Sequence, residues 1–131
     1  MALKDTRRCP FCHIGKEEYL LETEYSYAKL DAYPVSNGHT LIISKEHYSN
    51  YFDLPEFLQI DMMKLVSETK KYLDKKLGTS QYNIGINCGQ SAGQTIDHVH
   101  IHLIPRREKD INDPRGGVRW VLPDKAKYWD E

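Results

Sequence analysis

Half of the chain's six histidines fall in one alternating run, His98-Val99-His100-Ile101-His102. Successive side chains on a strand point to opposite faces, so the three imidazoles would share a face with neighbours roughly 6–7 Å apart. Val99, Ile101 and Leu103 would point the other way, into a core. An imidazole can attack an electrophile, move a proton or bind a metal near neutral pH. Three readings of the run compete: a surface strand without chemistry, an all-histidine metal site, and a nucleophilic imidazole held among its neighbours. The segment just before it, Asn87-Cys88-Gly89-Gln90-Ser91-Ala92-Gly93-Gln94-Thr95, is rich in glycine, amide and hydroxyl groups. Such a loop lets donors approach an anion closely. Beside the histidines it predicts a phosphate site next to a nucleophile.

Cys9-Pro10-Phe11-Cys12 is a second constellation. The spacing suits tetrahedral zinc, with two further ligands supplied from elsewhere. A redox pair would sit at a helix start in a thioredoxin-like pattern, which is absent here. His13 reads as exposed and Cys88 as a small buried residue.

These groups need a scaffold. The chain has 131 residues, 40% hydrophobic and 28% charged, a balance that suits one domain with one core. A net charge of -1 offers no global field for long nucleic acid. A small zinc module binding RNA is therefore disfavoured. The odd number of cysteines and the lack of a signal-like apolar core in Met1 to Arg8 predict a cytoplasmic protein without disulfides. Leu41-Ile42-Ile43 is the longest aliphatic run and cannot span a bilayer.

One helix is predicted from about Pro55 to Leu77. Leu58, Met62, Leu65, Thr69, Tyr72 and Leu73 recur at steps of three and four. Asp53 and Pro55 suit its start and Gly78 its end. Strand candidates lie at Tyr19 to Leu21, Tyr25 to Leu30, His39 to Ser44, Tyr82 to Cys88 and His98 to Ile104, the last ended by Pro105. The loop from Asp31 to Gly38 is punctuated by Pro34 and Asn37-Gly38. Residues from about 107 to 131 read as an irregular tail, in which Trp120 and Trp129 serve as packing residues. The predicted fold class is α+β, a single domain with an antiparallel sheet and one long helix packed across it.

The stretch from Gly93 to Arg106, with His98-Val99-His100-Ile101-His102-Leu103-Ile104 at its centre, resembles the signature of the histidine triad superfamily. Gly38-His39-Thr40-Leu41-Ile42-Ile43-Ser44-Lys45 resembles the strand that precedes it in that family, and the likeness runs from about residue 9 to 106. The resemblance implies hydrolysis or transfer at the α-phosphate of a nucleotide, with a purine nucleotide as substrate. His100 would form a covalent nucleotidyl intermediate, supported by His102 and His39. Asn87, Gln94 and Thr95 would contact phosphate or leaving group, and Asp31 would hold the ribose hydroxyls. No catalytic cofactor is implied, and members are commonly homodimers. Zinc-bearing branches imply a structural zinc on Cys9, Cys12, His47 and His98, the two cysteines lying in an N-terminal loop of about residues 1–16. Dinucleoside polyphosphates are the first substrate expectation. A nucleoside phosphoramidase and a nucleotide-binding regulatory module with little activity are the alternatives.

Overall fold

The computed structural model describes residues 6–130, so the ends of the predicted N-terminal loop and C-terminal tail lie outside the described residues. Five strands form one antiparallel sheet: β1 Leu21–Glu22, β2 Ser26–Leu30, β3 Thr40–Ser44, β4 Gln81–Ile86 and β5 His100–Arg106. Their order is β1-β2-β3-β5-β4. The long helix α1 spans Glu56–Leu77, and a four-residue helix α2 covers Pro123–Ala126. This is the α+β architecture that the spacing predicts.

The sheet buries its two faces against different partners. Ala28, Ile42, Ile101 and Leu103 pack with Leu58, Met62, Leu65 and Leu73 of α1. Tyr27, Leu41 and Ile43 point the other way and pack with Cys9 and Phe11. The period-2 alternation of the strands thus separates a helix-covered core from the face that carries the histidines. Met62 is fully buried at the centre of α1. Met62→Ala is expected to cost about 2–5 kcal/mol, read as a lower urea midpoint with an unchanged slope.

Three boundaries differ from expectation. Pro55 caps α1, but Asp53 belongs to a separate 3-10 turn, Tyr51–Asp53, where its carboxylate accepts from the Asn50 amide. Pro105 lies inside β5 rather than beyond it. The β3 ladder ends at Leu103, so one side of Pro105 has no neighbouring strand, and the missing N–H is tolerated there. The tail is not wholly irregular, since Gly117–Val121 forms a 3-10 turn ahead of α2. Trp129 packs against Gly116, and Arg115 lies over its ring.

Gly78 ends α1 in the left-handed conformation. Gly38, just before the β3 strand, has φ +93°, and a Cβ there would collide with Leu77 of α1. The turn that delivers His39 is thereby pressed against the helix end.

Candidate active site

Cross-strand register decides which side chains meet. Ile43 pairs with His100, and Leu41 pairs with His102. The rings of His100 and His102 stand with centroids 5.2 Å apart on the face opposite α1. His39, just before β3, reaches across to them. The backbone N–H of Val35 donates to His39 Nδ1 at 3.1 Å, so the neutral ring carries its proton on Nε2. That N–H points at His102 Nδ1, 3.0 Å away, with Asp31 Oδ2 at 3.4 Å. His102 therefore accepts at Nδ1 and keeps its own proton on Nε2. Burial, reinforced by the neighbouring His100 and His39, pushes His102 down to about 4. Burial likewise lowers His39. Both rings are neutral at pH 7, as the hydrogen bonds require.

This depression has a consequence for stability. An unfolded histidine takes up its proton near 6.5, while the folded His102 refuses it until about 4. The stability contributed by the neutral ring is full above about pH 6.5 and falls as pH drops toward 4. Urea midpoints measured across that window should fall less steeply for His102→Asn than for the unchanged protein.

His100 is fixed differently. Its Nδ1 donates to the carbonyl of His98 at 2.8 Å, which leaves the Nε2 lone pair for chemistry. Phe11 holds the ring edge-on, centroids 5.1 Å apart. His100 and His102 line a cavity of about 630 Å³ with Asp31, Asn87 and Thr95. Asp31 Oδ1 accepts from the Tyr33 amide at 2.9 Å, which orients the carboxylate.

His98 does not join the other two. It precedes β5, in a bend where its N–H donates to the Ile96 carbonyl, and its ring turns toward the cysteines. His98 Nδ1 lies 3.2 Å from Cys9 Sγ and 3.5 Å from Cys12 Sγ, and Cys12 Sγ lies 3.2 Å from His47 Nδ1. All four ligand atoms fall within 4.8 Å of one another. His98 Nε2 donates to the Ser44 carbonyl at 2.8 Å, so its Nδ1 lone pair is the one aimed at the sulfurs. Burial pushes the Cys12 thiol up to about 11, a cost that a bound cation would reverse. The donor set and spacing fit a tetrahedral metal.

Gln94 sits elsewhere than expected. Its amide accepts from the Gly89 N–H at 2.8 Å and donates to the Ser49 and Ile96 carbonyls. It ties the glycine-rich loop to the Ser49 and Ile96 carbonyls and is not among the residues that line the cavity. Cys88 is half-buried, not buried. Trp120 is 45% exposed and borders a second cavity with His39 and His102, so it is not simply a packing residue. His13 is exposed. Phe11, Lys29 and Glu18 also line the larger cavity, without a motif to mark them. For Lys29 the missed signal was a cation inside the buried segment Ser26-Tyr27-Ala28.

The sequence model of the HIT domain matches residues 15–109. The chain belongs to the HIT domain family. An adenosine 5'-monophosphoramidase of Saccharomyces cerevisiae is 43% identical over 105 residues, which cover 77% of this chain and 64% of the yeast protein. The chain thus spans less than two thirds of that relative. A diadenosine triphosphate hydrolase structure from Plasmodium falciparum superimposes with a TM-score of 0.67 at 35% identity, covering 76% of this chain and 68% of that one. A zinc-bound histidine triad protein from Mycobacterium smegmatis superimposes with a TM-score of 0.73 at 30% identity, covering 81% and 80%. The HIT fold of these structures is the sheet-and-helix architecture described above.

Proposed function

We propose that this HIT protein is a nucleotide hydrolase that cleaves at the α-phosphate of dinucleoside polyphosphates or related nucleotide conjugates. The observation that carries the reading is the His100 ring, tethered at Nδ1 by the His98 carbonyl and open at Nε2 beside the cavity. His100 Nε2 attacks the α-phosphorus, a phosphorus–nitrogen bond forms, and the bond to the leaving group breaks with its electron pair. Water then attacks phosphorus, the imidazole departs and a nucleoside monophosphate is released. The His102 Nε2–H is a donor for a phosphoryl oxygen as charge builds there. His39 keeps His102 in that tautomer. Thr95 and Asn87 line the phosphate end, and Asp31 receives the ribose hydroxyls. The chemistry asks for no metal at phosphorus.

The second reading is nucleoside phosphoramidate hydrolysis, favoured by the yeast relative, itself named an adenosine 5'-monophosphoramidase. Both substrates pass through the same adduct. Intact mass spectrometry after mixing with diadenosine tetraphosphate or an adenosine phosphoramidate tests them together. A nucleotidyl mass increment supports the mechanism, and turnover without an adduct on His100 overturns it.

Cys9, Cys12, His47 and His98 would hold a structural zinc, tying residues 9–12 to the strand that carries His100. The zinc-bound Mycobacterium smegmatis relative supports that identity. The unpaired edge of β4, with Ile84 45% exposed, supports a homodimer. The described cysteines are free thiols, consistent with a cytoplasmic location. Among the described residues no helix is long and apolar enough to cross a membrane.

A further inference from the structure

Lys29 is an unusual occupant of a nucleotide cavity wall. It is 7% exposed, at the end of the buried run Ser26-Tyr27-Ala28, and it borders the same cavity as His100 and Asp31. Its ammonium donates to the Leu30 carbonyl at 2.8 Å. Glu18, at the end of a 3-10 turn on the cavity rim, lies 3.9 Å away, beyond hydrogen-bond reach. The cation and the carboxylate therefore form a long ion pair with no hydrogen bond between them.

The register shows what they face. Lys29 pairs with Leu41, and Leu41 pairs with His102, so the three lie in one row on the open face of the sheet. Two strand spacings set Lys29 on the order of 10 Å from His102. With phosphorus at His100 and the ribose at Asp31, the far end of that row is where the base arrives.

We propose that Lys29 and Glu18 read the base, and that they select guanine over adenine. This rests on the nucleotide hydrolase reading above. Guanine presents a carbonyl acceptor beside two donors, its ring N–H and its exocyclic amine. The Lys29 ammonium donates to the carbonyl and the Glu18 carboxylate accepts from both donors. Adenine presents one donor and a ring nitrogen on the same edge, so one lone pair of the carboxylate is left without a partner. Glu18 is 52% exposed without a base, and a base that covers it while leaving one lone pair unpaired loses solvation it does not replace, which makes the recognition selective.

The test compares kcat/KM for 5'-phosphoramidates of guanosine, inosine, 2-aminopurine riboside and adenosine, all with one leaving group. Guanosine should exceed adenosine by about tenfold or more. Lys29→Met should narrow the gap between guanosine and 2-aminopurine riboside, which lacks the carbonyl and, with it, the ring N–H that Glu18 reads. Glu18→Ala should close the gap between guanosine and inosine, which lacks the amine. Equal turnover of guanosine and adenosine, or gaps that neither substitution narrows, overturns the proposal. Turnover of none of the four counts against the hydrolase reading instead. Calorimetric binding of the guanosine and adenosine monophosphates then decides the base preference: tighter guanosine binding, lost in Lys29→Met, sustains it, and equal binding overturns it.

Discussion

Replacing His100 with alanine is expected to lower turnover by about 10⁴–10⁶-fold while the protein stays folded. The loss follows from the kind of group removed. A side chain that forms a covalent bond to the reacting atom has no substitute nearby, and its removal leaves only binding and phosphate stabilisation. At about 1.4 kcal/mol per tenfold, the loss corresponds to roughly 5–8 kcal/mol of barrier. His102 cannot take over, because its Nδ1 is occupied by His39 and its remaining nitrogen carries a proton. His39 cannot either, since its Nδ1 is held by the Val35 amide. The fold should survive because His100 faces the cavity, whereas Val99, Ile101 and Leu103 supply the core contacts of this segment. Steady-state rates and an intact mass spectrum, run beside a circular dichroism melt, separate the outcomes. A folded variant with neither turnover nor adduct supports a covalent mechanism. A folded variant retaining a tenth of the activity would mean that another group, or water itself, attacks phosphorus.

Loss of the metal ligands should have the second largest effect, on stability rather than chemistry. Purified protein is expected to carry about one zinc per chain, and Cys9→Ser with Cys12→Ser should abolish it. Without a cation, two thiols and two imidazoles are crowded within 4.8 Å, sharing only weak sulfur–nitrogen hydrogen bonds. Among the described residues His47 Nε2 is buried with no hydrogen-bond partner, so the ring rests on its contacts with Cys12 and His98. A closed structural site contributes its binding free energy to folding. Losing several kcal/mol at roughly 3–5 °C each should lower the midpoint by about 10 °C or more. The damage should spread to activity, because Phe11, between the two cysteines, packs against both His98 and His100. Metal analysis with melts in and out of chelator checks this. Metal-free protein that melts unchanged in chelator would show that the cluster stands on its own hydrogen bonds.

Much of this molecule was legible from local pattern. The three-and-four spacing from Leu58 to Leu73 defined α1, because an amphipathic helix must turn one stripe to the core. Alternation around His100 predicted which residues are buried, and Val99, Ile101 and Leu103 are. His100, His102 and His39 come together, as do the four metal-site residues; tight spacing pointed to His100, His102, Cys9 and Cys12, and the family resemblance to His39, His47 and His98. The errors fell where pattern is silent. Strict alternation put His98 on the same face as its neighbours, but a bend at residues 96–98 turned it toward the cysteines. Pro105 read as a strand end, since sequence alone cannot show that the β3 ladder stops at Leu103. Gln94 read as a phosphate contact, yet the loop's own backbone claimed its amide. Lys29 and Glu18 drew no notice, because one sits in a strand and the other in a turn eleven residues earlier. Sequence by itself determined the elements, the nucleophile candidate and the Cys9–Cys12 pair, which depend on residue type and short-range spacing, while His47 and His98 came only from the family resemblance. Only the tertiary structure decided which nitrogen of each ring is free and what stands at the far end of the cavity. Those depend on backbone groups and strand registers brought together from distant parts of the chain.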